Sequence, residues 1–137
     1  MQKELLIIIP VLNEVNNILP IIKKIFKHLK NIPKHVLFID DNSKDGTREK
    51  IYLAQKKFNK IYLIKRNKKL GIGSAHKVGL DWGFKKRYEK IITMDCDGTH
   101  DPIYINRLLK KLNKKNCQIV STNRFLKKNS LSDWTIW

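Results

Sequence analysis

Residues 4–11, Glu-Leu-Leu-Ile-Ile-Ile-Pro-Val, form an apolar run without the polar–apolar alternation of a half-exposed strand. A strand apolar on both faces has to be covered on both faces, as in a parallel sheet lying between helices. The run extends to Leu12, holds Pro10 and is far too short to cross a bilayer. No small-residue cleavage site follows it, so it does not read as a signal peptide.

The rest of the chain alternates to match. Ile18, Ile21, Ile22, Ile25, Phe26 and Leu29 recur at helical spacing, predicting a helix over 17–30 with Pro20 in its first turn. His35 to Ile39 reads as a second buried strand, and Thr47 as the cap of a helix burying Ile51, Ala54 and Phe58. Residues 60–64 make a third strand, followed by the basic loop 66–70 and a helix through Val78, Gly79, Trp82 and Phe84. Gly79 costs about 1 kcal/mol inside a helix, so close packing against a neighbour is expected there. Residues 90–94 predict a fourth strand, 102–113 a helix with Ile105, Leu108, Leu109 and Leu112 inward, and 117–120 a fifth strand. Such alternation implies an α/β fold: a mostly parallel sheet with right-handed crossovers and helices on both faces.

The length of 137 residues suits one domain with a real core. The net charge of +17 admits three partner classes: nucleic acid, an anionic membrane surface and an anionic substrate. The lysines are spread through nearly every segment with no RNP-like or helix-turn-helix pattern, so no nucleic-acid partner is expected. Membrane attraction is the better functional reading, beside the plainer one of solvated faces. Cys96 and Cys117 form no CxxC pair, which suits a reduced cytoplasmic compartment.

Chemistry concentrates where strands end. The fourth runs into Asp95-Cys96-Asp97-Gly98-Thr99-His100-Asp101-Pro102. Two carboxylates one residue apart repel each other unless a cation sits by them, and their oxygens suit Mg²⁺ or Mn²⁺ holding a phosphate. An acidic turn capping the next helix through Asp97 or Asp101 is the alternative. Asn13-Glu14, Asp40-Asp41 and Arg66 leave the other strands, and in parallel sheets ligands bind outside these carboxyl ends. Asp40 and Asp41 either bond a base edge or ribose, or cap a turn with Asn42 and Ser43. Gly71-Ile72-Gly73 is either a flexible loop or a place for a phosphate or sugar to approach the backbone; it is not a Rossmann fingerprint. His100 reads as a turn residue.

Together, Pro10-Val11-Leu12-Asn13-Glu14, the segment from Asp40 to Thr47, Gly71-Ile72-Gly73-Ser74-Ala75 with Gly79, and the segment from Met94 to Pro102 resemble the family 2 glycosyltransferases of the GT-A fold. The acidic segment looks most like that of the dolichol-phosphate mannose synthases and related polyprenyl-phosphate glycosyltransferases. The resemblance covers residues 5 to about 125. It implies that Pro10, Val11, Asn13, Glu14, Asp40 and Asp41 bind a nucleotide-sugar donor, with Gly71, Gly73 and Asp95. It implies that Asp95 and Asp97, with Thr99, hold Mg²⁺ or Mn²⁺, and that Asp97 and Arg124 are catalytic. Thr99 stands where the family more often has Ser or Gln, and Gly98 where a larger apolar residue is usual.

The implied reaction is an inverting transfer to polyprenyl phosphate. A phosphate acceptor, largely ionised near pH 7 because its second pKa is about 6, needs no strong general base. Asp133 is the only acidic residue after Asp101, which agrees with that acceptor. Two regions are therefore expected: a nucleotide-sugar-binding domain over 1–125, and in 126–137 the start of an acceptor-side region, with Trp134 and Trp137, that reads as incomplete. A partner chain supplying acceptor-side elements, or a binding module without turnover, fits that expectation, as does peripheral attachment at the cytoplasmic face of a membrane.

Overall fold

The computed structural model describes residues 3–114 and 116–123. The chain runs β1 (Lys3–Val11), α1 (Ile18–His28), β2 (Lys34–Asp40), α2 (Thr47–Lys57), β3 (Ile61–Lys65), α3 (Ile72–Lys85) and β4 (Tyr88–Thr93). The four strands form one sheet in the order β3-β2-β1-β4, and every pair is parallel. The apolar run of β1 thus occupies an interior strand, where Leu5 to Ile9 are almost wholly buried.

Pro10 is tolerated there for a register reason. Ile8 faces β4, since its carbonyl accepts the Met94 N–H at 3.1 Å, while Val11 faces β2, its carbonyl accepting the Asp41 N–H at 2.9 Å. Pro10 therefore turns its missing N–H toward β4, whose pairing with β1 ends at Ile8↔Thr93.

Right-handed crossovers place α1 and α2 on one face and, because the chain reverses direction across the sheet, α3 on the other. The α3 face packs Leu6, Ile8, Leu37, Ile39, Ala75 and Tyr88 together, with Val78, Trp82 and Ile91 at its border. Gly79 lies against β1 as expected: a Cβ there would come within 2.5 Å of Ile8 Cγ2. Gly83 repeats this one turn later, where a Cβ would lie 2.8 Å from both Leu6 and Ile91. These small residues let α3 lie flat on the sheet.

Two local expectations need correction. The cap of α2 is not Thr47, which is the first helical residue; Asp45 Oδ1 accepts its N–H at 3.0 Å and its hydroxyl at 2.6 Å. Gly46, at φ 95°, makes the turn between them. No strand forms over 117–120: Ile119 is 87% exposed, and the preceding Asn116 is left-handed with Cys117 N–H closing a turn onto Lys114 O. Two apolar residues in four are too few to hold such a segment in a sheet.

The chain divides into compact units at 1–103 and 104–137. A 3₁₀ turn, Pro102–Tyr104, leads into α4 (Ile105–Leu112), in which Ile105 and Leu109 are buried while Leu108 and Leu112 are partly exposed. Among the described residues no helix is long and apolar enough to cross a membrane.

Candidate functional site

From β1 the chain moves through β2 and β3 to one side, then returns to place β4 on the other. The crevice between the carboxyl ends of β1 and β4 is the switch point of the sheet, where such folds bind ligands. Every donor-site residue named above, from Pro10 to Thr99, lies within the first unit.

The β1 exit is tied to the β2 exit by backbone-to-side-chain bonds. Asn13 N–H donates to Ser43 Oγ at 2.9 Å, Glu14 N–H to Thr47 Oγ1 at 2.8 Å and Val15 N–H to Asp45 Oδ2 at 3.1 Å. In return Lys44 N–H donates to Asn13 Oδ1 at 2.9 Å. Asn13 is left-handed at φ 56°, a conformation Asn accepts more readily than most residues. The Glu14 carboxylate is held by Asn17 Nδ2 at 2.6 Å. Burial raises the pKa of Asp45, but its bonds from Thr47 and Val15 outweigh that and leave it below the usual carboxylate range.

Asp40 and Asp41 diverge. Asp40 is fully buried, ion-paired with Arg48 Nε and accepting the N–H groups of Asn42 and Ser43. It was expected at the nucleotide, yet it is turned into the fold and holds the turn that follows β2. Asp41 reaches across to the loop before α3, accepting Leu70 N–H at 3.0 Å and Gly71 N–H at 2.9 Å. Arg66 lies 3.2 Å from it and also donates to Gly71 O at 3.3 Å and Ser74 Oγ at 2.7 Å. The glycine loop is therefore pinned, and Gly71 and Gly73 have no neighbour within 4 Å of where a Cβ would stand.

At the β4 exit, Gly98 turns the chain at φ 88°. Asp97 Oδ1 accepts Thr99 N–H at 3.0 Å and Thr99 Oγ1–H at 2.7 Å. Burial pushes the Asp97 pKa up, but these bonds, with a smaller pull from His100, bring it below the usual carboxylate range. Asp95 N–H donates to His100 Nδ1 at 3.0 Å, and the same nitrogen stands 3.7 Å from Asp95 Oδ2. Between the carboxylates sits buried Cys96. Burial first, then the charges of Glu14, Asp97 and Asp95, push its thiol up to about 12. Asp95 and Asp97 thus stand at the β4 exit, next to the β1 exit that carries Glu14. A cavity of about 180 Å³ adjoins them, lined by Asn17, Pro20, Ile21, Lys24, Cys96, Asp97 and Gly98.

Among the described residues no group of three or more His, Cys, Asp or Glu could hold a metal by itself. The donor chemistry nevertheless suits Mg²⁺ or Mn²⁺, which keep much of their shell for substrate phosphates and water and need one or two carboxylates. Asp97 Oδ2 has no hydrogen-bond partner among the described residues, and Asp95 is about one-third exposed. Thr99 donates its hydroxyl to Asp97, which makes it an orienting group for that carboxylate. Arg124 and the segment 126–137 lie outside the described residues. The sequence placed Arg66 at a strand exit but did not show its pairing with Asp41, and it gave Arg48 and Asp45 no part in the site.

The four-stranded parallel sheet and its helices have the GT-A fold of solved glycosyltransferase structures. A mannosyltransferase from Pyrobaculum calidifontis, solved with GDP-Man and Mn²⁺, superposes with a TM-score of 0.66 at 17% identity, over 83% of this chain and 33% of that one. S. aureus TarS 1-349, solved with UDP-GlcNAc, gives 0.63 at 18% identity over 90% of this chain and 38% of that one. The family description "Glycosyl transferase family 2" matches residues 6–136, and the chain belongs to that family. It is 35% identical over 107 residues to the polyprenol monophosphomannose synthase of Mycolicibacterium smegmatis, covering 76% of this chain and 39% of that protein. It is 29% identical over 130 residues to the undecaprenyl-phosphate mannosyltransferase of Micrococcus luteus, covering 94% of this chain and 51% of that protein. The chain thus spans about half or less of the length of these two relatives.

Proposed function

We propose that this chain is the donor-binding part of an inverting glycosyltransferase that moves mannose from GDP-mannose to a polyprenyl phosphate at a membrane surface. The observation that carries the proposal is the placement of Asp95 and Asp97 where the chain leaves β4, beside the β1 exit that bears Glu14, at the switch point of the sheet. The names of the two sequence relatives supply the sugar and the acceptor class. Pro10, Val11, Asn13, Glu14 and Asp41, with the backbone at Gly71 and Gly73, form the nucleotide pocket in this reading. Asp40 serves it indirectly by holding the 41–45 turn.

Asp95 and the free oxygen of Asp97 would hold Mg²⁺ or Mn²⁺, with Thr99 fixing the Asp97 rotamer. When bound, the cation supplies charge neutralisation for the departing nucleoside diphosphate. The protein's own share is to hold these carboxylates preorganised, so that little reorganisation is needed as charge develops. The acceptor phosphate carries its own nucleophilic oxygen and asks for cationic positioning, the role we assign to Arg124.

Titration of GDP-mannose in the presence and absence of Mn²⁺ tests the reading. Binding is expected to need the metal and to disappear in Asp97→Ala. Unchanged metal-dependent binding in that variant sinks the assignment. A second reading, on the same donor-side residues, is a nucleotide-sugar-binding module without turnover. Donor binding with no transfer to added polyprenyl phosphate would support it.

A further inference from the structure

From Lys50 to Leu80 the chain contains nine Lys or Arg residues and no Asp or Glu. Within that block, the β3–α3 loop leaves the carboxyl edge of the sheet, the same edge that carries the donor site. Its Lys65, Lys68 and Lys69 are exposed, and so are two aliphatic side chains, Leu70 at 50% and Ile72 at 59%. Arg66 takes no part, being buried against Asp41. The loop is not free to fold these apolar groups away. Asp41 holds the N–H groups of Leu70 and Gly71, while Arg66 holds Gly71 O and Ser74 Oγ.

A rigid loop that presents aliphatic tips amid cations of one sign has a defined complement. The cations suit an anionic surface, and the aliphatic tips gain only where apolar acyl chain lies directly beneath that surface. Single-stranded nucleic acid would satisfy the lysines but stacks on aromatic side chains, and this loop offers only aliphatic ones. We infer that Lys65, Lys68, Lys69, Leu70 and Ile72 form a docking surface for an anionic lipid bilayer. The inference deepens the proposed function and rests on its lipid-phosphate acceptor. Docking by this loop turns the carboxyl edge of the sheet, with the donor site, toward the level of the lipid headgroups.

The test is sedimentation of the 137-residue chain with phosphatidylcholine vesicles made with and without phosphatidylglycerol. Binding is expected only with the anionic lipid, weakening as salt rises. Lys68→Glu/Lys69→Glu is expected to lower the partition coefficient by at least roughly tenfold, and Leu70→Ser/Ile72→Ser by at least about fivefold. All four side chains are exposed, so melting temperatures should match the parent. GDP-mannose affinity measured without vesicles should also match it. Three results overturn the inference: vesicle binding undiminished in both variants; GDP-mannose binding lost in the lysine variant, which would put those lysines at the donor; or RNA binding as tight as vesicle binding and indifferent to the Leu70/Ile72 change. Vesicle binding that follows these substitutions in a chain unable to bind any nucleotide sugar would leave the docking surface standing and remove the proposed function.

Discussion

The guanidinium of Arg66 lies 3.2 Å from the carboxylate of Asp41, and both side chains are more than nine-tenths buried. The pair joins the exits of β2 and β3, and through the Gly71 N–H and C=O it fixes the start of α3. Removing one member strands the other charge in the interior, a loss of typically about 3–5 kcal/mol. Arg66→Met is therefore expected to lower the denaturation midpoint by that order. Adding Asp41→Asn should recover part of the loss, because the stranded charge is then gone. A denaturant titration of both variants decides it.

Two glycines of α3 should respond in opposite ways to alanine. At Gly79 the new methyl meets Ile8 Cγ2 at 2.5 Å and Cδ1 at 3.1 Å, on an interior strand that has no room to retreat. Overpacking of that kind costs about 1–3 kcal/mol, more than the gain in helix propensity returns. At Gly73 nothing lies within 4 Å, so alanine should stabilise by up to about 1 kcal/mol. Thermal melts of the two variants give the sign of each directly. If Gly73 lets a phosphate approach the backbone, the stabilised variant will bind the donor more weakly.

Alkaline pH should unfold the protein early. Cys96 rises from its ordinary 9.0 to about 12 through burial and then the Glu14, Asp97 and Asp95 charges. Tyr88 rises from 10.0 to about 12 through burial and then Tyr62. Both folded values exceed the unfolded ones, so this contribution to stability is complete below pH 9 and is lost as pH climbs toward 12. Melting temperature should fall over that window, and less steeply in Cys96→Ala. Iodoacetamide at pH 8 should label the more accessible Cys117 well before Cys96.

The acid side has a different sensor. Asp97 is depressed below its ordinary 3.8, chiefly because the Thr99 bonds outweigh burial. Its contribution is therefore present above that value and is lost as pH falls through the lower folded one. In Thr99→Val the hydroxyl bond is gone and the depression shrinks. The acid limb of metal-dependent GDP-mannose binding is then expected to move to higher pH, while affinity at pH 7 falls only modestly. An unmoved acid limb would show that Thr99 does not tune this carboxylate.

Local chemistry made much of this readable from the letters alone. Apolar runs without alternation defined β1 and β2, a helical period defined α1, and a glycine inside the α3 pattern announced the close approach to Ile8. The acidic pair at the end of β4 stood out because two carboxylates follow directly on an apolar run, although the letters alone left a capping turn equally open. The expected strand over 117–120 failed for the reason short apolar segments often do: period says nothing when only two residues carry it.

The amino-acid order by itself determined which segments become strands and helices, and therefore that acidic groups leave the carboxyl ends of the strands. It did not determine which partner each of those groups would meet. Asp40 and Asp41 are neighbours in the chain, yet one is sealed under Arg48 and the other clasps the loop before α3. That division depends on which face of the sheet each side chain meets and on cations from two other segments, Arg48 and Arg66. Such partners come from across the chain, so only the folded arrangement could assign them.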